Sequence, residues 1–326
     1  MNLRSIDKRL VDLLQAEFPL TRHPYADIGA VLGISEEEVI SLIAQLKADG
    51  VVRQIGPVFN AGSLGYKTTL VAMRVGEKQI DKAAQIIIKH PGISHGYERD
   101  NYFNLWFTLA TSVVDDTEAE LSRLAEEIGA EAFFSLPAVK LFKLRAHFAL
   151  EEKGHIEPPN NHSGTIHKQE ARLSPADRVV INELQQDLPL VLHPFAEMSS
   201  RLGMDEDEFL SRCRSLRKRG VMRRFGAAVN HRKAGFMGNA MTCWAVPAGK
   251  IEATGQKLAS LKQVSHCYER KTNPLWHYNL FAMIHGRSKE SCRDIADKVS
   301  AEVGLSDSVM LFSTRELKKT RIKYLV

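Results

Sequence analysis

The chain has 326 residues, 44% hydrophobic and 25% charged, which reads as globular; at ~100–200 residues per domain it has room for two to four. No apolar run approaches the ~18 residues that span a bilayer, and the N-terminal MNLRSIDKRLVDLL is an amphipathic pattern with acids in it, not a signal peptide. The cysteines Cys213, Cys243, Cys267 and Cys292 are widely spaced with no CxxC pair, which argues against a zinc site or a disulfide framework and fits a reducing cytoplasm. The net charge of +5 is uneven: residues 1–150 hold 16 basic and 19 acidic side chains, and residues 151–326 hold 28 and 20.

Residues 6–50 read as three helices. Ile6, Leu10, Leu13 and Leu14 recur at helical spacing. A short helix over 26–32 is closed by Gly33, and Ser35 with Glu38 forms a capping box for a third helix that Gly50 ends. Two short helices, a tight turn and a longer helix make a helix-turn-helix, often winged by the strands that follow. The pattern then becomes β-α-β-β-α-β: strands at 67–75, 93–99, 103–111 and 132–143, with helices at 78–90 and 115–128.

The whole order then recurs. FPLTRHPYADIGAVLGIS (from Phe18) is echoed by LPLVLHPFAEMSSRLGM (from Leu188), and VVRQIGPVFNAGSLGYK (from Val51) by VMRRFGAAVNHRKAGFM (from Val221). SHGYER (Ser94 to Arg99) is echoed by SHCYER (Ser265 to Arg270). The second copy opens on Ser174-Pro175, has strands at 239–246, 264–271, 277–285 and 307–315, and helices at 251–261 and 289–303. A period near 170 is too long for a solenoid and means a duplicated module. The expected fold is α+β, a tandem duplication of a winged helix-turn-helix plus a ferredoxin-like βαββαβ module. The divisions are 1–60 and 61–150 in module one, a Pro-, Gly-, Asn- and His-rich linker at 151–172, and 173–230 and 231–326 in module two.

Strand alternation puts His95, Tyr97 and Arg99 on one sheet face, and His266, Tyr268 and Arg270 on the equivalent one. His277, Asn279 and His285 share a parity on the next strand, so a hairpin could bring both rows to one pocket. A half-buried strand carries Tyr and Arg for packing alone, but three such residues on one face, twice, point beyond packing. Arginine forks carboxylates, His can ligate iron or give a proton, and a phenol can donate. Arg53, Arg223 and Arg224, with Arg232 beyond, precede the sheets. No Gly-rich phosphate loop, Ser-His-Asp arrangement, paired-carboxylate motif or zinc-enzyme HxE or HxxxH spacing is present.

Helix-turn-helix units raise DNA binding as a rival. The helices that would read bases begin SEEEVI (Ser35) and MDEDEF (Met204). Acids there suit the helix dipole but repel phosphates, so the sequence argues against DNA as partner.

Helix-turn-helix followed by βαββαβ resembles the Lrp/AsnC regulators across both modules. Within that superfamily HPYADIGAVLGIS, VVRQIGPVFN, SHGYERDNYFNLWFTLA and SHCYERKTNPLWHYNLFAMIHG look like the sirohaem decarboxylases, in the fused form associated with haem d1 biosynthesis. Module one resembles the D-type partner and module two the L-type. The resemblance implies a cytoplasmic carboxy-lyase that removes the acetate carboxyls at ring positions 12 and 18 of sirohaem, giving 12,18-didecarboxysirohaem, with no cofactor beyond the iron tetrapyrrole substrate. It implies that Arg53, Arg223, Arg224, Arg99 and Arg270 hold carboxylates. His266 is the leading candidate for axial iron ligand or proton donor, with His95 its equivalent; His231 and His277 are alternatives, and Tyr268 and Tyr97 are candidate donors. The family's L-type pattern more often has Pro where His277 stands, and the D-type has His where Asn101 stands. The two modules are expected to pack as an intramolecular pseudo-dimer, two chains can pair further as a homo-oligomer, and no membrane is involved. Two other readings stay open: an Lrp/AsnC-type DNA-binding regulator, and a tetrapyrrole-binding protein without turnover.

Overall fold

The computed structural model describes residues 3–144, 164–165, 172–230, 233 and 238–326. Most of the linker expected at 151–172 lies outside these residues, as do His231 and Arg232. Module one runs α1 (Ser5–Ala16), α2 (Pro24–Leu32), α3 (Glu36–Ala48), β1 (Val52–Phe59), β2 (Tyr66–Arg74), α4 (Ile80–Lys89), β3 (Ile93–Arg99), β4 (Leu105–Ser112), α5 (Thr117–Ile128) and β5 (Ala132–Leu144). A two-residue strand, β6 (Gly164–Thr165), pairs with β5. Module two repeats the order as α6 (Pro175–Leu184), α7 (Pro194–Arg201), α8 (Glu206–Lys218), β7 (Met222–Val229), β8 (Gly238–Trp244), α9 (Ile251–Ser260), β9 (Val264–Arg270), β10 (Leu280–Gly286), α10 (Lys289–Val303) and β11 (Ser308–Lys319). Among the described residues no helix is long and apolar enough to cross a membrane.

The helix signals act as read. Ser35 Oγ accepts from the Glu38 N–H, and the Glu38 carboxylate accepts from the Ser35 N–H. Ser174 and Asp177 make the same exchange at the start of α6. The strand after each helix-turn-helix, however, does not fold back as a wing on its own module. β1 and β7 pair with each other, antiparallel, with Gly56 opposite Gly226 at the centre. A Cβ on Gly226 would lie 2.6 Å from the Leu14 carbonyl oxygen, so the ribbon sits against α1 only because that position has no side chain. Around this ribbon one core takes Leu10, Leu14, Ile43 and Ile55 from module one and Ile181, Leu184, Phe209 and Phe225 from module two. The two helix-turn-helix units are therefore a single packed body.

Each module's four later strands have the ferredoxin-like order, β5-β2-β4-β3 and β11-β8-β10-β9. The last strand of each is long enough to serve both sheets. β5 pairs β2 through Ala132–Pro137, and its second half, from Ala138, pairs β9. β11 pairs β8 through Ser308–Phe312 and then β3. The ladder thus runs β2-β4-β3-β11-β8-β10-β9-β5 and back to β2, a closed ring of eight antiparallel strands. Helices α4 and α5 cover module one's outer face over Val71, Leu105, Phe107 and Leu109. Helices α9 and α10 cover module two's over Ala240, Ala282 and Ile284. Phe142, from β5 of module one, completes the module two core, and Leu317, from β11, packs on that of module one.

This exchange makes one residue a test of the whole ring. A Cβ added to Gly255 on α9 would meet the Phe142 ring at 2.5 Å, so the fit is tight. Phe142→Ala should cost about 3 kcal/mol or more, as for buried Phe truncations generally. Hydrogen exchange should show the loss in α9, which belongs to the other module. Loosening confined to β5 would contradict the packing described.

Candidate functional site

A bulge sets the direction of the chemistry. Ile93 pairs with Leu109 and His95 with Thr108, so Ser94 is an extra residue between them. Val264 pairs with Ile284 and His266 with Met283, which makes Ser265 its counterpart. Strict alternation would put Ile93 and His95 on one face. The extra residue lets Ile93 and Val264 enter the outer helix-covered cores while the histidines turn into the ring. From there alternation holds: His95, Tyr97 and Arg99 line the interior from one side, and His266, Tyr268 and Arg270 from the other. The bulged serines hold the rings they redirect. Ser94 Oγ is 2.9 Å from His95 Nδ1, and Ser265 Oγ is 2.7 Å from His266 Nδ1.

The rows line a cavity of about 1740 Å³ between the ring of strands and the β1–β7 ribbon. Beyond the arginines the ring is filled by an aromatic cluster of Phe103, Trp106, Phe134 and Trp276. Arg99 and Arg270 sit next to this floor and are tied to it. Arg99 Nη1 donates to the Leu311 carbonyl at 2.9 Å, and Arg270 Nη1 to that of Leu136 at 2.8 Å. Each bond crosses to the other module's last strand. Arg99 lies over the Tyr97 ring at 5.2 Å and Arg270 over that of Tyr268 at 4.8 Å. Their first task is thus structural, although the Nε of each is buried without a hydrogen-bond partner.

The cations of the ribbon lie across the cavity. Arg53 contacts Glu316 at 2.8 Å, Arg223 reaches Asn60 at 3.3 Å, and Arg224 donates to the Gln15 carbonyl. Sequence reading missed the segment after β11. Thr320 N–H donates to the Ser94 carbonyl, Arg321 donates to the Gly226 carbonyl at 3.1 Å, and the Tyr324 ring meets that of Tyr66 at 5.0 Å. This strap lays Lys319, Arg321 and Lys323 along the cavity, which Lys143, Arg217 and Lys262 also line. A C-terminal RIKYLV with no helical period gave no local signal of this; only the length of β11 places it.

One histidine needs correction. His277, expected on a strand facing the pocket, precedes β10, is largely exposed and pairs with Asp307 at 2.8 Å. It does not line the cavity. Its parity mate Asn279 is used to hold Val246, donating to the carbonyl and accepting from the N–H. His285 does face inward, buried, with Nε2 2.7 Å from Ser265 Oγ.

Electrostatics separates the groups. Burial, with Lys319 and Arg53 adding repulsion, lowers His95 to about 4 even though its ring is open to the cavity. Burial followed by the charges of His95, Lys319, Arg270 and Lys143 lowers His266 to about 3. Both rings are neutral at pH 7, so each offers one N–H and one lone pair. Burial raises Tyr268, which keeps its phenol proton. Burial pulls Arg224 and Arg321 down to about 10, still charged at neutral pH. A concave, cationic chamber with neutral imidazoles and phenols at mid-depth suits a large polyanion that must take up a proton. Among the described residues no cluster of three or more His, Cys, Asp or Glu side chains is placed to hold a metal ion.

Comparisons with known proteins place this architecture. A model of the AsnC-like ligand binding domain matches residues 63–143 and again 233–318, and a model of the siroheme decarboxylase NirDL-like helix-turn-helix domain matches 7–53 and 177–223. The chain is 37% identical over 317 residues to a siroheme decarboxylase of Hydrogenobacter thermophilus, covering 97% of this chain and 94% of that one. It is 34% identical over 319 residues to the siroheme decarboxylase NirDL subunit of Paracoccus pantotrophus, covering 97% and 96%. A siroheme decarboxylase beta subunit of Methanosarcina barkeri, 40% identical over 147 residues, matches 45% of this chain and 97% of itself. The crystal structure of the siroheme decarboxylase NirDL in co-complex with an iron-uroporphyrin III analogue superposes with a TM-score of 0.73 at 34% identity, over 99% of this chain and 95% of that one. Two modules of the AsnC type, fused head to tail around one shared chamber, make this chain a member of the siroheme decarboxylase NirDL-like family.

Proposed function

We propose that the chain removes the acetate carboxyls at ring positions 12 and 18 of sirohaem as carbon dioxide, leaving methyl groups, as a step toward haem d1 or another modified haem. The observation that carries this reading is the pair of His-Tyr-Arg rows sharing one cation-lined chamber of about 1740 Å³. Sirohaem is a flat iron tetrapyrrole with eight carboxylates. The ribbon and strap cations Arg53, Arg223, Arg224 and Arg321 meet the carboxylates, and the macrocycle takes up the electron pair left by each departing carboxyl. His266 donates the proton to the methylene carbon, with His95, Tyr97 and Tyr268 completing the polar wall. Arg99 and Arg270 offer their remaining N–H groups while fixing the floor.

The regulator reading finds less support. The N-termini of α3 and α8 are acidic, and Asp207 of α8 pairs with Arg22 of the other module, with Arg22 Nε at 3.0 Å. Lys47, near the end of α3, pairs with Asp187 at 2.6 Å, and Arg217 of α8 with Glu17 at 2.7 Å. Arg22, Lys47 and Arg217 thus join the two units.

Anaerobic incubation with sirohaem, followed by mass spectrometry, tests the reading. Loss of two carboxyl groups, abolished in His266→Ala and retained in His95→Ala, is the expected result. A shifted Soret band with no mass change would leave a tetrapyrrole-binding protein instead. The arginines should divide into two groups. Arg223→Met and Arg321→Met should weaken sirohaem binding about tenfold, the worth of a charged hydrogen bond of ~1.5 kcal/mol, in absorbance titrations. Arg270→Met should lower the melting temperature more than the affinity, because the Leu136 carbonyl loses its partner.

Stability should also depend on the two histidines. Their folded-state values, about 4 and about 3, lie below the ordinary 6.5, so the unfolded chain takes up protons that the folded chain refuses. Their contribution is fully present above pH 6.5 and is lost as pH falls toward about 4 for His95 and about 3 for His266. The ligand-free protein should melt progressively lower across that window, and His266→Gln should melt with a shallower pH slope than wild type.

A further inference from the structure

The chamber contains a third imidazole that only one module supplies. Ser265 Oγ lies 2.7 Å from His266 Nδ1 and also 2.7 Å from His285 Nε2. His285 and Ser265 are both buried, and the chain of three groups leads from the end of β10 to the cavity face of His266. Module one has the bulged serine and its histidine but not the third ring. His95 is opposite Thr108 as His266 is opposite Met283, so the place of His285, two residues further along its strand, falls to Ala110.

A hydroxyl has one proton. Between two imidazoles it can donate to one ring nitrogen only and must accept from the other. The tautomers of the rings are therefore coupled. If His285 carries its proton on Nε2, Ser265 donates to His266 Nδ1, and His266 presents an N–H at Nε2. If His285 carries it on Nδ1, the serine turns, and His266 Nε2 is a bare lone pair. We propose that Ser265 and His285 form a proton relay that sets and recharges His266, so that the proton for decarboxylation is delivered from module two; this rests on the decarboxylase reading above.

The atoms balance as follows. The bond between methylene carbon and carboxyl breaks, carbon dioxide leaves, and the electron pair stays with the carbon, delocalised into the macrocycle. That carbon takes the proton from His266 Nε2. His266 Nδ1 takes the serine proton, the serine takes the Nε2 proton of His285, and a proton from solvent restores His285 at Nδ1, a buried atom that solvent reaches only on local opening. Each acetate thus consumes one proton and becomes a methyl group. One event also leaves the pair in the opposite tautomeric state, and the relay must reset before the second acetate can react.

Ser265→Ala, Ser265→Thr, His285→Ala and His285→Gln test this in the full chain, with sirohaem under anaerobic single-turnover conditions and with affinity measured separately by absorbance. Ser265→Ala and both His285 variants should cut the decarboxylation rate about 10- to 100-fold, the usual effect of losing such a supporting partner, with sirohaem affinity within about twofold of wild type. Ser265→Thr, which keeps the hydroxyl, should recover most of the rate, and Ser94→Ala in module one should slow the reaction less than Ser265→Ala. Wild-type rates in Ser265→Ala and His285→Gln would overturn the relay. So would a rate loss matched by lost affinity, or full activity in His285→Gln beside a slow His285→Ala, since the ring would then only fill space. Wild-type protein that binds sirohaem without changing its mass would instead overturn the decarboxylase reading, and the relay with it.

Discussion

Everything in this molecule depends on the exchange of the two terminal strands of the sheets. Left alone, each four-stranded sheet would end in β3 or β9, an unpaired edge with a row of exposed N–H and C=O groups. The long strands β5 and β11 close both edges by running on into the other module. Closure puts the rows carried by β3 and β9 inside the ring instead of on a solvent-facing sheet. The same strands supply the carbonyls of Leu136 and Leu311 that hold Arg270 and Arg99. A cross-module backbone contact thus fixes the side chains nearest the floor.

The shared chamber is nearly two-fold in its framework and asymmetric in its chemistry. Arg53 and Arg223 occupy matching places on the ribbon, as do His95 and His266, but Gln54 stands where Arg224 is. In the sheets, Thr108 and Leu70 of module one correspond to Met283 and Met241 of module two. The strap after β11 runs beside His95, pairing Lys319 with that residue, while the matching end of β5 brings Leu144 to His266. A two-fold frame with unlike walls suits a substrate whose two reacting arms are not related by symmetry.

Much of this was written locally and could be read. Capping residues fixed α3 and α6, hydrophobic period fixed the strands and helices, and the repeated SHxYER put three functional groups on one face. What could not be read was non-local. β1 and β7 look like ends of helix-turn-helix units because their partner lies about 170 residues away in sequence. The strap's cations sit in a tail whose position follows only from where β11 runs. His277 misled because parity was counted through a segment that is not strand: Asn273 and Trp276 form a small turn before β10 begins at Leu280. His285, counted with it, was at a correct parity, yet nothing in the sequence tied it to Ser265.

The two bulges show which kinds of change such a chain can absorb. Between the β3–β4 loop and the β9–β10 loop the copies differ in length, their offset growing from 171 to 175, and the ring still closes. A loop can gain residues because nothing downstream is rotated by them. Loss of one residue at Ser94 or Ser265 is different in kind. It would leave Ile93 beside His95, or Val264 beside His266, on the opposite faces they already occupy, since their partners are consecutive residues, but it would remove the hydroxyl that holds each ring by Nδ1. Length is therefore free to drift at the hairpin tips of this chain, whereas at the bulges what the site holds on to is a hydroxyl beside each imidazole rather than a count of residues.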